Sequence, residues 1–278
     1  MRTNATRRTF LGTGLAAAGF SGLPPASAAE PAAEIKLGVA TYSLRKFQRG
    51  LAISMLRQLG VSHASVKEFH LPYLLPPEEL TRAAEQFRRA GIAIESGGVI
   101  YLREDSDEDM RKYFDYARAC AMPMMVVGAT LENVPRIEKF VKAYDIRIAI
   151  HNHGPEDQQF PTPEAALKAL RGRDGRMGVC VDVGHTARAG ADPVESIRSA
   201  GARLFDVHIK DLRDLKDAKT QVPVGEGVMP VVAIFKELLR MNYRASVNLE
   251  YEIDVDDPLP GMAKSFAYMR GVLAGLRG

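Results

Sequence analysis

"MGVCVDVGH", residues 177–185, is a run of small and β-branched apolar residues that stops on a carboxylate, Asp182, with an imidazole, His185, three positions later. A short apolar run bounded by polar residues reads as a strand buried on both faces, as in a parallel sheet. Such a strand has no need of a carboxylate at its end. Either Asp182 caps the turn that follows, or Asp182 and His185 face a common point and do chemistry there.

The same arrangement recurs along the chain. "IKLGVAT" (35–41), "SHASVKEF" (62–69), "IAIESGG" (92–98), "PMMVVGA" (123–129) and "IRIAIHNH" (146–153) precede 177–185, and "RLFDVHIKD" (203–211) and "ASVNLEY" (245–251) follow it. Helical patterns separate them, at about 53–59, 77–90, 106–121, 132–144, 162–170, 192–200, 230–241 and 259–276. Several open on helix-start signals, such as the Ser106-x-x-Asp109 box and the early proline and glutamates of 77–90. Eight strand–helix units without an evident linker predict a single-domain (β/α)8 barrel. A doubly wound open sheet is the alternative, but no Gly-x-Gly-x-x-Gly follows the first strand.

In such a barrel the C-terminal strand ends share one face, where chemistry is built. This chain places Glu68 and His70 after strand 2, His151, Asn152 and His153 at strand 5, Asp182 and His185 at strand 6, His208 and Lys210 at strand 7, and Glu250 and Glu252 at strand 8. Side chains alternate across a strand, so Asp206, His208 and Lys210 share a face, as do Asn248, Glu250 and Glu252, and His151 and His153. Imidazoles mixed with carboxylates suit a divalent ion such as Mn, Co, Fe or Zn. Each residue also has a structural reading: Asp182 as a cap, His208 as a core histidine, His151 and His153 as loop residues, Glu250 as a surface carboxylate. Four such coincidences at neighbouring strand ends favour a metal site. His151 or His153, not both, is expected to complete the shell, because two residues on one face of a strand stand roughly 6–7 Å apart.

Residues 1–28 stand apart. Arg2, Arg7 and Arg8 precede a mild apolar stretch, which closes on Ala26-Ser27-Ala28, a small-x-small cleavage pattern. The segment resembles a twin-arginine export signal, which implies the export machinery as partner, a periplasmic or exported location, and a mature domain spanning 29–278. Without it, Lys+Arg falls from 37 to 34 and equals the 34 Asp+Glu. A formally neutral mature chain offers no charge signature for nucleic acid or an anionic membrane. The two cysteines, Cys120 and Cys180, read as buried apolar residues rather than a bridge.

"VDVGH", "DVHIKD", "NLEYE" and "PVGEGVMPVVAIFKELLRMNY", in this order and spacing, resemble the xylose isomerase-like TIM barrels, the sugar phosphate isomerase/epimerase superfamily. The resemblance implies a divalent metal (Mn, Co, Mg, Fe or Zn) held by a strand-5 Glu, a strand-6 Asp, a strand-7 His and a strand-8 Glu. Asp182, His208 and Glu250 match three of these. The fourth departs, since "HNH" stands where ketose epimerases carry the Glu that also serves as an acid/base group; His151 or His153, or water, fills that place, with His153 the predicted ligand. The implied activity is isomerisation or epimerisation of a small sugar or sugar-like polyol through an enediolate. A lyase, dehydratase or keto-glycoside eliminase is the alternative; an AP endonuclease-like phosphodiesterase and a non-catalytic sugar-binding barrel are more distant ones. Glu250, Glu68 and Glu156 are the predicted acid/base groups. His185, Lys210, Arg213 and His151 are predicted to bind substrate, in a mouth lined by Tyr42, Tyr101 and Tyr251. The oligomeric state is left open.

Overall fold

Eight short apolar runs form parallel strands that pair in sequence order, and the last closes against the first. They are β1 (Lys36–Ala40), β2 (His63–Val66), β3 (Ala93–Tyr101), β4 (Met124–Gly128), β5 (Arg147–His151), β6 (Met177–Asp182), β7 (Leu204–Ile209) and β8 (Ser246–Leu249). The computed structural model describes Met1 and residues 34–277, and residues 34–277 belong to one compact unit. The predicted single-domain (β/α)8 barrel is the fold observed. The expected export signal lies, apart from Met1, outside the described residues.

Every residue of β4, β6 and β7 is buried, because each strand has one face inside the barrel and the other under helices. Val99, Met124, Val126, Ala149, Cys180 and Phe205 form the inner core. A larger apolar shell fills the space between sheet and helices. The helices are α1 (Arg49–Gln58), α2 (Pro77–Arg89), α3 (Asp107–Ala119), α4 (Val134–Tyr144), α5 (Pro163–Ala169), α6 (Val183–Arg188), α7 (Pro193–Ala200), α8 (Val231–Arg240) and α9 (Leu259–Arg277). Capping explains several starts: Ser106, Thr162 and Asp192 each accept a backbone N–H from the first turn of the helix they precede. Among the described residues no helix is long and apolar enough to cross a membrane.

Two features between strands and helices were not anticipated. α6 begins directly at the end of β6. A ribbon of two-residue strands, Asp211–Leu212 against Gln221–Val222, follows β7. The Asp211 carboxylate accepts N–H groups from Leu212, Gly225, Gly227 and Met229. It thereby fixes the "VGEGVM" loop that leads into α8.

Candidate metal centre and adjoining pocket

Asp182 caps the turn that follows it and also faces a point shared with side chains of neighbouring strands. Its Oδ1 accepts the His185 N–H at 2.8 Å and caps α6. Its Oδ2 is buried, makes no hydrogen bond and is ion-paired with the Lys210 ammonium at 3.1 Å. Asn152 fixes this strand end from β5: its Oδ1 accepts the Asp182 N–H at 3.0 Å, and its Nδ2 donates to the Asp182 carbonyl at 3.3 Å.

Around Asp182 Oδ2 stand His151, His208 and Glu250, all buried, with one potential ligand atom from each of the four within 4.8 Å of the others. His151 Nε2 lies 3.2 Å from His208 Nδ1 and 3.7 Å from Asp182 Oδ2, and His208 Nδ1 lies 3.4 Å from Glu250 Oε2. Ligands bound at about 2.0–2.2 Å to one ion stand roughly 3–4 Å apart, so these separations fit a shared ion. A donor set of two imidazoles and two carboxylates fits a borderline divalent cation.

The barrel's stagger brings these four together. In the sheet register His151 pairs with Cys180, Asp182 with His208, and His208 with Asn248. Counted across the hydrogen bonds, the ligands climb four residues from β5 to β8. The strands' tilt against the barrel axis returns them to one level. One layer below, Asp206 accepts from Ser96 Oγ at 3.0 Å and Asn248 Nδ2 at 2.8 Å, which braces the strands beneath His208 and Glu250.

Lys210 reaches the cluster from the end of β7. Its Nζ lies 3.1 Å from Asp182 Oδ2 and 2.9 Å from Glu250 Oε2, and it also pairs with Glu252. Burial alone would lower its pKa, but Asp182, Glu250 and Glu252 outweigh burial and keep the ammonium charged. Glu250 is the complement: burial pushes it up, and Lys210 and His208 hold it well below the usual carboxylate range. Asp182 stays raised by burial despite Lys210. Gly184 makes the approach of Lys210 possible, since a Cβ there would lie 2.6 Å from Lys210 Cγ.

A pocket of about 250 Å³ opens onto the cluster and is lined by Tyr42, Lys67, Glu68, Phe69, Val99, Tyr101, His151, His153, His185 and Glu250. Burial pushes His153 below the ordinary imidazole value, and burial with Lys210 pushes His185 down to about 3. Both rings are therefore held in the neutral form near pH 7. On the opposite wall, at the end of β2, Lys67 donates to the Val99 carbonyl and lies 3.5 Å from Glu68 Oε2. Burial lowers its pKa. A larger hollow of about 810 Å³ lies at the N-terminal end of the barrel, but among the described residues no cluster able to share an ion lines it.

The structure redistributes several expected roles. β5 ends at His151, and His153 lies past it with φ −112° and ψ 11°. The two rings therefore do not stand on one strand face. They pack with centroids 4.4 Å apart. His151, not His153, enters the four-residue cluster, and His153 lies at the pocket wall, its Nε2 3.2 Å from Tyr101 Oη. Glu156 is not at the cluster; it sits on the 3-10 turn Gly154–Glu156, paired with Arg188, which lowers its pKa. Arg213 is carried away by the ribbon and is exposed, its backbone N–H bonded to the Thr220 carbonyl. Glu68 lines the pocket and accepts from Tyr73 Oη at 3.2 Å. Tyr42 and Tyr101 also line it, whereas Tyr251 is a packing residue bonded to Asp254. His70 is a satisfied core histidine, between Thr41 Oγ1 and the Leu44 carbonyl. Lys67 had no expected role. In "SHASVKEF" it read as one more strand residue, and only the strand's early end at Val66 turns it toward the barrel mouth.

Comparison with known proteins places this geometry. The chain is 28% identical to an uncharacterised protein of known structure from Parabacteroides distasonis ATCC 8503, with a TM-score of 0.66 over 85% of this chain and 98% of that one. The fold of the IolI protein, solved with a binding zinc atom, superposes with a TM-score of 0.70 at 16% identity, over 87% of this chain and 99% of that one. The inosose dehydratase of Geobacillus kaustophilus (strain HTA426) is 30% identical over 104 residues, 32% of each chain. The matched stretches span less than half the length of the curated relatives. Residues 102–272, which run from the end of β3 into α9, match the xylose isomerase-like TIM barrel family, and the chain belongs to that family.

Proposed function

We propose that this chain is a divalent-metal-dependent lyase that removes the proton beside the carbonyl of a hydroxyl-rich, sugar-like substrate and then expels a group from the next carbon. The convergence of His151, Asp182, His208 and Glu250 within 4.8 Å, at the floor of a pocket walled by neutral imidazoles, carries this reading. A divalent ion there would act as Lewis acid on the carbonyl oxygen and stabilise enediolate charge. The zinc of IolI, a protein of the same fold, agrees with such a role.

His153 is the assigned base, neutral because it is buried, and it takes the α-proton. The C–H electron pair moves into the enediolate. It then forms the new carbon–carbon double bond as the carbonyl returns, and the β-oxygen leaves with its bonding pair. Lys67 stands on the opposite wall and supplies the proton to that oxygen. His185 and Lys210 orient hydroxyls and balance charge. Elimination is preferred to epimerisation because His151 stands where an epimerase has its second acid/base glutamate, and is itself part of the cluster. The similarity to a dehydratase over 104 residues agrees with this choice. One observation favours epimerisation as a second reading: two carboxylates, Glu68 and Glu250, both line the pocket.

The test is incubation of the metal-loaded protein with ketoses, inososes and keto-glycosides in D₂O, followed by proton NMR. The expected result is an unsaturated product with stoichiometric release of the leaving group. A deuterated epimer without elimination would establish the second reading. Absence of both α-proton exchange and product with every substrate would defeat both.

A further inference from the structure

We infer that the substrate is a glycoside of at least two units, the reacting ring in the inner pocket and a second, uncharged sugar ring in an adjoining outer pocket. This rests on the proposed reaction only for the identity of the reacting ring. A second cavity, about 510 Å³, shares two lining residues with the inner one, Tyr101 and His153. The inner pocket, about 250 Å³, falls below the roughly 300–1,000 Å³ usual for ligand sites, whereas the two together fall within it.

The partition between the pockets is a built feature. Tyr101 stacks on His153 with ring centroids 5.6 Å apart and an interplanar angle of 27°. Its ring lies over Gly128, where a Cβ would stand 2.6 Å away, so a larger residue at 128 would displace it. Although 42% exposed, Tyr101 is thus held in place at the junction of the two cavities, where two linked rings would meet.

The outer lining selects the ligand's chemistry. Thr130, Gln158 and Gln159 bring a hydroxyl and two amides. Arg103 brings one guanidinium, 4.5 Å from the centre of the Tyr101 ring. Glu156 and Asp157 bring two carboxylates, the first paired with Arg188 and the second 3.6 Å from His153 Nδ1. With Glu156 neutralised by Arg188 and Asp157 set against Arg103, the wall carries no net charge to draw a phosphate, while amides and a hydroxyl suit neutral hydroxyls.

The probes are cellobiose and methyl β-glucoside, each oxidised to a ketone at the third carbon of its non-reducing ring, with the metal-loaded protein. Saturation-transfer NMR reads binding and product formation reads turnover. The expected outcome is saturation of both rings of the disaccharide and a kcat/KM at least tenfold above that of the methyl glycoside. Arg103→Ala should cut that advantage at least threefold, and Gln158→Trp, which fills the outer pocket from an exposed position, should abolish it. Both variants should leave methyl glycoside turnover within twofold. Saturation confined to one ring, no binding of the disaccharide, equal kcat/KM for the two probes, or equal loss on both probes in the variants would overturn the inference. Binding through both rings without proton exchange or product would sustain the outer pocket and defeat the proposed reaction.

Discussion

At the scale of single residues, Asp182 joins the fold to the candidate site, because its two oxygens have different partners. Asp182→Asn keeps an oxygen to accept the His185 N–H but removes the charge that faces His151 and His208. We expect bound divalent metal, measured after loading and desalting, to fall to less than a tenth of wild type; the Lys210 ion pair is lost here as in Asp182→Ala, so the cap is read from the difference in melting temperature between the two metal-free variants. Asp182→Ala should lose the metal equally and also the cap, worth about 1 kcal/mol, or roughly 2–4 °C for a domain of this size. Equal melting of the two metal-free variants would refute the cap. Gly184→Ala probes the neighbouring close approach. The new Cβ would stand 2.6 Å from Lys210 Cγ, and overpacking of this kind costs about 1–3 kcal/mol. Urea unfolding should show that loss together with weaker metal binding, because Lys210 pairs with both carboxylates of the cluster.

At the scale of elements, the eight-fold alternation of strand and helix was legible, because every barrel strand is a short apolar run and most helices carry a start signal. That Asp182, His208 and Glu250 share one end of the barrel was legible too, from their places at successive strand ends together with the family resemblance. Strand ends were less so. β5 closes at His151 because Asn152 turns inward to bond the backbone of Asp182, a contact between strands that no local pattern encodes. α6 was missed because "VGHTAR" is six residues of small and polar character with no amphipathic period. Ties between helices are a further hidden layer. Glu237, on α8, is 5% exposed and binds Arg198 of α7 and Arg240 of its own helix. The Arg240 contact foremost, and then Arg198, pushes its pKa from 4.5 down to about 2. A carboxylate depressed on folding stabilises the protein above its unfolded pKa, and that contribution fades as pH falls toward the folded one. Glu237→Gln should therefore melt a few degrees below wild type at pH 7, and the gap should narrow progressively between pH 4.5 and about 2. A gap that widened with acid would show the sign to be wrong.

At the scale of the whole molecule, the cluster draws one residue from each of β5 and β6 and one from the end of each of β7 and β8, so an ion held there would cross-link half of the barrel wall. A ligand bound only to the folded state adds RT ln(1 + [L]/Kd), about 2.7 kcal/mol at a hundredfold excess over Kd, which for this size is roughly 5–10 °C in melting temperature. We also propose, from residues 1–28, that the protein is exported folded, in which case the ion is acquired before export and where folding occurs decides which ion is held. Arg7→Lys with Arg8→Lys should then leave the protein in the cytoplasm with its N-terminus uncut; continued export would remove that proposal without touching the barrel. The cross-link is tested separately, by calorimetry of the purified protein before and after chelation. Chelation should lower the melting temperature by those several degrees, and Mn, Co, Fe or Zn should restore it more fully than Mg, because two of the four donors are imidazoles. The same treatment should not shift the Asp182→Asn variant. A chelator effect of equal size in that variant would place the ion elsewhere, and Mg restoring stability as well as Zn would speak against an imidazole-rich shell.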